Sequence, residues 1–272
     1  MASNPVFDRI EKDARKGYAG FGQTPARSAS PTMSPAQLED LYQRPSASPV
    51  QTGRVTIDDV VMKTAGLFTL LLVGAAVGWI FFPQAGGVLI LGGIAVTLVL
   101  GLVIAFKKTI SVPLIVTYAA AEGLFVGAIS NAYSLRFDQV GQTDVFHGIV
   151  AQAVLGTLSV FAGMLIAYKT GLIKVTDKFR RIVTMAVIGY AIFAFVNFLY
   201  AWIGNHAFGI GISIFAIGLA SAMLAVDFDS IDRAIAAGAP EKYSWLLAHG
   251  LIVTLVWLYL EILRLLGRMR SN

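Results

Sequence analysis

Ionisable side chains are rare in the apolar part of this 272-residue chain, and each one inside a long apolar run is a candidate functional site. The clearest is Glu122, ten residues into the run 112–134, with no basic residue within one helical turn. A charged carboxylate in hydrocarbon is costly, so Glu122 must be protonated, paired with another helix or open to water. We expect it to line an ion path; the simpler alternative is one hydrogen bond between packed helices.

Three carboxylates lie within six residues at the end of the run 209–228: Asp227, Asp229 and Asp232. Oxygen ligands suit Ca²⁺ and Mg²⁺, so the three side chains could hold a cation, and Asp227 and Asp232 are further candidates for the ion path. The alternative is a solvated helix end in which Asp229 pairs with Arg233 at i+4.

The last apolar run, 244–266, contains Glu261 and His249. Arg264 lies three residues after Glu261 and can neutralise it. Histidine is the side chain that ordinarily titrates near neutral pH, which makes His249 a candidate pH sensor. A lone histidine in an apolar helix is more often a hydrogen-bonded packing residue.

Signatures of catalysis are missing from the sequence. It has no Gly-x-Ser-x-Gly, no His-Glu-x-x-His and no glycine-rich phosphate loop ending in Lys-Ser or Lys-Thr. It has no cysteine, so a thiolate metal site cannot form. We therefore expect no enzyme and no cofactor, with Ca²⁺ entering only as a transported ion.

The composition defines the elements that must position these groups. Hydrophobic residues make up 56% of the chain and charged residues 14%, outside the range of ordinary soluble domains. Seven apolar runs each approach the 20 or so residues that cross a bilayer as a helix: 61–82, 86–106, 112–134, 146–168, 181–203, 209–228 and 244–266. These runs predict an all-α membrane protein, a bundle of seven transmembrane helices.

Basic residues in the connections predict the orientation. They concentrate in the N-terminal tail and in three of the connections between runs. The basic residues of the second connection are Lys107 and Lys108, those of the fourth are Lys169, Lys174, Lys178, Arg180 and Arg181, and those of the sixth are Arg233 and Lys242. The N-terminus should therefore be cytoplasmic. Seven crossings place the C-terminus outside, although Arg264, Arg268 and Arg270 lie there. The net charge of +5 is thus a membrane pattern and indicates no nucleic-acid partner.

The first residues form a region of different composition. The chain divides into a tail, 1–58, and a helical domain, 59–272. The tail is rich in Ser, Pro and Thr between 23 and 53, which predicts disorder. Within it, Ser34, Pro35 and Gln37 form a helix-start signature that suits a docking motif for a protein partner or the membrane surface.

Small residues at intervals of four predict close helix contacts. Ala119, Gly123 and Gly127 form one such stripe, and Gly218 and Ala222 form another. Such spacing lets helix backbones approach closely in membranes.

Several segments resemble one family. They are Ala-Glu-Gly-Leu-Phe-Val-Gly-Ala-Ile-Ser at 121–130, the basic connection at 170–181, Ala-Val-Asp-Phe-Asp-Ser-Ile-Asp at 225–232 and Leu-Tyr-Leu-Glu-Ile-Leu at 258–263. Together they resemble the bacterial branch of the Bax inhibitor / YccA family over about 60–270, with the first 60 residues outside.

The resemblance implies a fold and a function. It implies six helices around a central last helix, in a multi-pass protein of the bacterial inner membrane. Some members are pH-sensitive calcium leak channels whose sensor is a pair of aspartates. Asp229 matches the first and Glu261 the second, with Glu in place of Asp. The arginine that can accompany the pair has no equivalent in 86–106.

Depth along the helices favours a different pair. If the last two helices turn back near Ala239, Asp229 lies ten residues before the turn and His249 ten after it. Glu261 then lies about 18 Å deeper, at 1.5 Å per residue. Asp229 with Glu261 and Asp229 with His249 both stay open as sensor pairs.

These observations favour a protein that leaks calcium ions. Protonation would weaken a contact made by a carboxylate, a latch that controls access to the centre of the bundle. The alternative is a non-conducting regulator that binds a membrane protease or a stress-response partner through the tail.

Overall fold

The computed structural model of the chain describes residues 53–107, 109–138, 148–202 and 210–271. They form six helices: α1 (Ile57–Phe106), α2 (Val112–Phe137), α3 (Ile149–Lys169), α4 (Asp177–Trp202), α5 (Ile210–Ala236) and α6 (Tyr243–Ser271). Each is long and apolar enough to cross a membrane. The described ranges contain no strand beyond one isolated bridge, which confirms the prediction of an all-α membrane protein.

The first two predicted runs lie in one helix, so the described residues form six helices where seven were predicted. α1 has 50 residues and would span about 75 Å if straight, more than twice the hydrocarbon core. It is not straight: Pro83 lies inside it and Ala85 has a non-helical backbone (φ −139°, ψ 22°). We call 57–84 its first arm and 86–106 its second arm.

The first arm runs parallel to α2. Its backbone at Leu71 lies against Gly123, and its backbone at Ala75 lies against Gly127, with no room for a Cβ at either glycine. Residue numbers thus rise together along both helices. These contacts confirm the close approach predicted for this stripe of small residues.

The second arm runs antiparallel to the same helix. A Cβ at Gly93 would lie 2.7 Å from the Cβ of Phe125, whereas one at Gly101 would lie 3.5 Å from the ring of Tyr118. Numbers rise along the arm while they fall along α2. α1 therefore reverses direction at Ala85, without a loop.

Both ends of α1 lie at the same end of the bundle. Before the helix, the Val55 N–H donates to the Ala239 carbonyl at 2.8 Å. After the helix, Ile110 packs against the cluster that contains Val55 and Tyr243. We call this the tail end; it comprises 53–60, residue 107 with 109–111, and the connections 170–176 and 237–242.

The opposite end of the bundle, the far end, holds the C-terminus. Nη1 of Arg270 contacts Oδ1 of Asp138 at 2.7 Å, and its Nη2 donates to Gln152 at 3.0 Å. Arg268 donates to Ser213 at the start of α5. α6 thus runs the whole length of the bundle, and Arg268 and Arg270 lie at the end opposite the start of α1.

α6 is the central helix, as the resemblance implied. Of its most apolar 18 residues, 67% are buried, against 6% for α1 and α4. It packs on α1, α2, α3 and α5, and the ring of Trp257 lies 5.6 Å from that of Tyr190 on α4.

The folded body begins a few residues before the predicted boundary at 58. Thr56 caps α1 through a reciprocal pair of hydrogen bonds with Asp59, and Val55 is buried against the α5–α6 connection. Residues 53–58 therefore belong with the helices. Residues 1–52, with the predicted disorder and the signature at Ser34, lie outside the described residues.

The second predicted stripe of small residues was wrong. A Cβ at Gly218 would meet no atom within 4 Å, so no backbone approaches it, although Ala222 packs in the α4–α5 contact. A spacing of four places both residues on one face, but only the fold decides whether another helix covers it.

Candidate functional site

Glu122 lies at the interface between α2 and α6. Its side chain is buried, and Oε2 finds no hydrogen-bond partner among the described residues. The Tyr118 hydroxyl, one turn earlier, lies within hydrogen-bonding reach of the carboxyl group. The Tyr118 ring in turn packs edge-on against His249 of α6, with centroids 4.5 Å apart. Tyr118 thus connects buried Glu122 on its own helix to His249 of α6.

Asp229 lies at the tail end and joins α4 to α5. Its carboxylate accepts a short hydrogen bond from Arg180 of α4 and one of 2.8 Å from Arg233, one turn later on α5. Arg233 also donates to Asp177 of α4 at 3.0 Å. The i+4 pair predicted from the sequence is confirmed. We call these four residues the Asp229 cluster.

Asp232 joins α5 to a third helix at the same end. The Tyr168 hydroxyl of α3 donates to its Oδ2 at 2.9 Å, and Nζ of Lys169 lies 3.9 Å from its Oδ1. Ionic contacts therefore connect α3, α4 and α5 around the end of α5.

Glu261 is almost wholly buried on α6, with 3% of its side chain exposed. Three donors converge on Oε1: the Tyr190 hydroxyl at 2.6 Å, Nη1 of Arg264 at 2.7 Å and Nε1 of Trp257 at 3.4 Å. The predicted i+3 pair is confirmed. Oε2 is buried without a partner in the described part of the chain. We call these four residues the Glu261 cluster.

Neither predicted sensor pair is formed in this structure. Asp229 contacts Arg180, and Glu261 contacts Tyr190, ten residues further along α4. These anchor points lie about 15 Å apart along the helix axis, too far for the two carboxyl groups to meet. His249 packs on α2 instead of facing Asp229. The two acidic groups instead hold α4 at two depths.

Asp227 points into the bundle rather than toward the other two aspartates. It is buried beside Thr254 of α6, and its Oδ2 lacks a partner within the described ranges. Successive helix residues turn by about 100°, so the side chains of Asp227, Asp229 and Asp232 diverge. The three side chains therefore do not converge on one point, and the described residues contain no cluster of three or more metal-ligating side chains.

Sequence reasoning missed the partners from other helices. Arg180 was counted only as a loop charge, and Tyr118, Tyr168 and Tyr190 were not singled out. A tyrosine inside an apolar run is a usable signal, because its buried hydroxyl needs a hydrogen-bond partner.

The fold and these groups define a class: a multi-pass helical membrane protein with carboxyl groups buried against its central helix. The chain belongs to the Bax inhibitor 1 like family, whose profile matches residues 4–271. The resemblance placed the start of the family near residue 60, but the profile match begins at residue 4. The prediction that the first 60 residues lie outside the family was therefore wrong. Comparisons with curated proteins and with solved structures gave no match.

Proposed function

We propose that this protein is a pH-sensitive cation leak, with Ca²⁺ as its ion, in the inner membrane of a bacterium. Three buried carboxyl groups carry the proposal: Glu122, Asp227 and Glu261 each keep one oxygen without a partner among the described residues. Burying polar groups unsatisfied is costly, and in membranes they mark ion and proton pathways. Glu122 and Asp227 face α6, and Glu261 lies on it.

The depths of the three groups suit a path. Glu122 lies about 15 Å from the start of α2, and Asp227 about 14 Å from the end of α5, both measured from the tail end. Glu261 lies about 27 Å from the start of α6, toward the far end. Two groups thus lie at mid-depth and one beyond them, spaced for a cation or a proton that moves along α6.

In the membrane, each arm of α1 crosses once, which makes seven crossings from six helices. Support comes from the reversal at Ala85 and from both ends of α1 lying at the tail end. The basic connections lie there too, so the N-terminus is cytoplasmic by the positive-inside rule. Reporters fused at residue 1 and near Gly141 should lie on opposite sides.

The Asp229 cluster is the latch that controls access. Its ionic contacts hold α4, one of the two least buried helices, against α5. Protonating Asp229 removes the attraction to Arg180 and Arg233. The tail-end edge of α4 then moves from α5 and opens the interior.

Calcium flux into proteoliposomes tests the latch. Asp229→Asn should give high flux that no longer depends on pH, whereas Asp58→Asn, which changes an exposed carboxylate at the same end, should behave like the wild type. His249→Ala and Glu261→Gln should keep the pH dependence, because neither residue contacts Asp229. Wild-type pH dependence in Asp229→Asn would exclude this latch.

Glu122→Gln tests the path separately. Glutamine keeps the shape and hydrogen bonding of a protonated acid but cannot carry charge. We expect a folded protein with reduced flux. Full calcium flux in this variant would mean that Glu122 only packs.

The second candidate function is a non-conducting regulator that acts through its N-terminal tail. One observation favours it: Val55, just before α1, is hydrogen-bonded to the α5–α6 connection and packs against the end of α5 that carries the Asp229 cluster. A partner bound to the tail can therefore act on α5. If liposomes with the full chain and with a chain lacking 1–52 both leak no more calcium than empty ones, the regulator is favoured.

A further inference from the structure

A cavity of about 640 Å³ opens sideways between the first arm of α1 and α3. The central helix forms its floor, together with short parts of α2 and α5. Its walls and floor include Phe68, Leu72, Leu158, Leu165, Leu251 and Leu255. The two wall helices make no extensive contact with each other. In a bilayer this opening therefore faces the hydrocarbon.

The cavity is long and apolar along its whole body. On α3 its lining runs from Val150 to Lys169, about 29 Å, close to the thickness of the hydrocarbon core. Two polar contacts deep inside are already satisfied: the Thr157 hydroxyl donates to a backbone carbonyl at 2.8 Å, and the hydroxyls of Ser130 and Tyr259 are 2.6 Å apart. The Thr64 hydroxyl, about 11 Å along α1 from the tail end, is buried without a partner among the described residues. Apart from Thr64, the described lining presents no buried polar side-chain atom that an occupant would have to satisfy.

The mouth at the tail end is polar and contains a cation. Lys169 lines it beside Tyr168 and Asp232, and 54% of the Lys169 side chain is exposed. Its Nζ lies 3.9 Å from Asp232, which is a loose and solvated pair. An ammonium group has three donors, so it can also bind an anion at the headgroup level.

We propose that this cavity holds one acyl chain of a phospholipid from the leaflet at the tail end, with the lipid phosphate bound by Lys169. The apolar length and the single cation at its mouth match an amphipathic, anionic molecule in one orientation. An empty cavity of this size would forfeit the packing of its walls, and lipid chains are the apolar material beside it. The proposal does not depend on ion conduction.

Native mass spectrometry of the full chain, released from nanodiscs of phosphatidylglycerol and phosphatidylcholine, tests this binding. The wild type should retain one phospholipid, with phosphatidylglycerol preferred. Val154→Trp fills the cavity and should lose this lipid. Leu155→Trp is the matched control, because Leu155 is half-exposed on the same helix but does not line the cavity. Should Val154→Trp fail to fold, Leu158→Trp fills the same space.

A second pair of variants tests the headgroup contact. Lys169→Gln should abolish the preference for phosphatidylglycerol over phosphatidylcholine, whereas Lys174→Gln, a basic residue of the same connection outside the cavity, should keep it. Equal preference in wild type and Lys169→Gln would overturn the assignment of the phosphate.

Other occupants give distinct results, and each would overturn the proposal. Equal lipid retention by Val154→Trp and Leu155→Trp would place the lipid elsewhere. A dimer that Val154→Trp abolishes would mean that a second copy covers the cavity. Lipid that binds only after removal of 1–52 would mean that the tail fills it.

Discussion

The Asp229 cluster and the Glu261 cluster both hold α4 to the bundle, but they do so in different surroundings. Asp229 lies at the tail end among two arginines and a second aspartate. Its pair with Arg180 has only 14% of each side chain exposed, whereas 46% of the Arg233 side chain and 87% of the Asp177 side chain are exposed. Glu261 is buried about 15 Å deeper, where two neutral donors and one arginine share a single oxygen.

This difference separates a reversible contact from a fixed one. The outer pair of the Asp229 cluster, Arg233 with Asp177, lies near water, where ion pairs contribute little net stability and break at small cost. The Arg180–Asp229 pair is mostly buried, but Arg233 stays beside Asp229 as a second cation when that pair breaks. A buried carboxylate that loses its cation has no such replacement. The Asp229 cluster is therefore suited to open and close, whereas the Glu261 cluster is suited to hold α4 in place while the tail end moves.

Removing the cation of the Glu261 cluster should have the largest effect. Arg264→Met leaves Glu261 buried with only neutral donors. We expect a loss of about 2–4 kcal/mol in stability, below the full cost for a buried pair because 42% of the Arg264 side chain is exposed. Thermal unfolding in detergent measures it.

The matched control for this loss is the double variant Glu261→Gln/Arg264→Met, which removes both charges. It should recover most of the lost stability, because no buried charge stays unpaired. A double variant as unstable as Arg264→Met would show that Arg264 stabilises by packing rather than by charge.

Two tyrosine hydroxyls give a comparison of intermediate size. Tyr190→Phe removes the 2.6 Å hydrogen bond to buried Glu261 and should cost about 1–2 kcal/mol. Tyr168→Phe removes the 2.9 Å hydrogen bond to half-exposed Asp232 and should cost about 0.5 kcal/mol or less. Chemical denaturation of both variants measures the difference. Equal losses of stability would mean that a hydrogen bond to buried Glu261 contributes no more than one to half-exposed Asp232.

A small effect on stability is also expected at Arg180. Arg180 and Asp229 are each only 14% exposed, but Arg180→Gln leaves Asp229 its second partner, Arg233, so the free energy of unfolding should fall by about 1 kcal/mol. Calcium flux should nevertheless rise, because one of the two contacts between α4 and α5 in the cluster is lost. A large loss of stability without a change in flux would make this contact a structural one.

Some of the site follows from local sequence. The burial of Glu122, Asp227 and Glu261 follows from the apolar runs around them. The pairs Asp229–Arg233 and Glu261–Arg264 follow from helical spacing alone, because residues three or four apart share a face. The start of α1 lies at the same end of the bundle as the basic connection after α3, whereas Arg268 and Arg270 lie at the opposite end.

The rest depends on how the helices are rotated and placed. Arg180 and Tyr190 reach the carboxylates from another helix, and no local spacing encodes such a contact. The runs 61–82 and 86–106 predicted a break between two crossings, but not that the chain reverses there without a loop, at Pro83 and Ala85. The Asp229–Glu261 pair was expected from the resemblance, yet the length of α6 separates the two groups.

A reversible bridge across the latch tests the central claim most directly. The chain has no cysteine, so Arg180→Cys/Asp229→Cys introduces the only thiols and also removes the ionic contact between α4 and α5. Unbridged, this variant should leak calcium rapidly at every pH. Joining the two thiols with a short reducible cross-linker should stop the leak at every pH, and reduction should restore it. Calcium flux that stays the same whether α4 and α5 are bridged or free would contradict the latch.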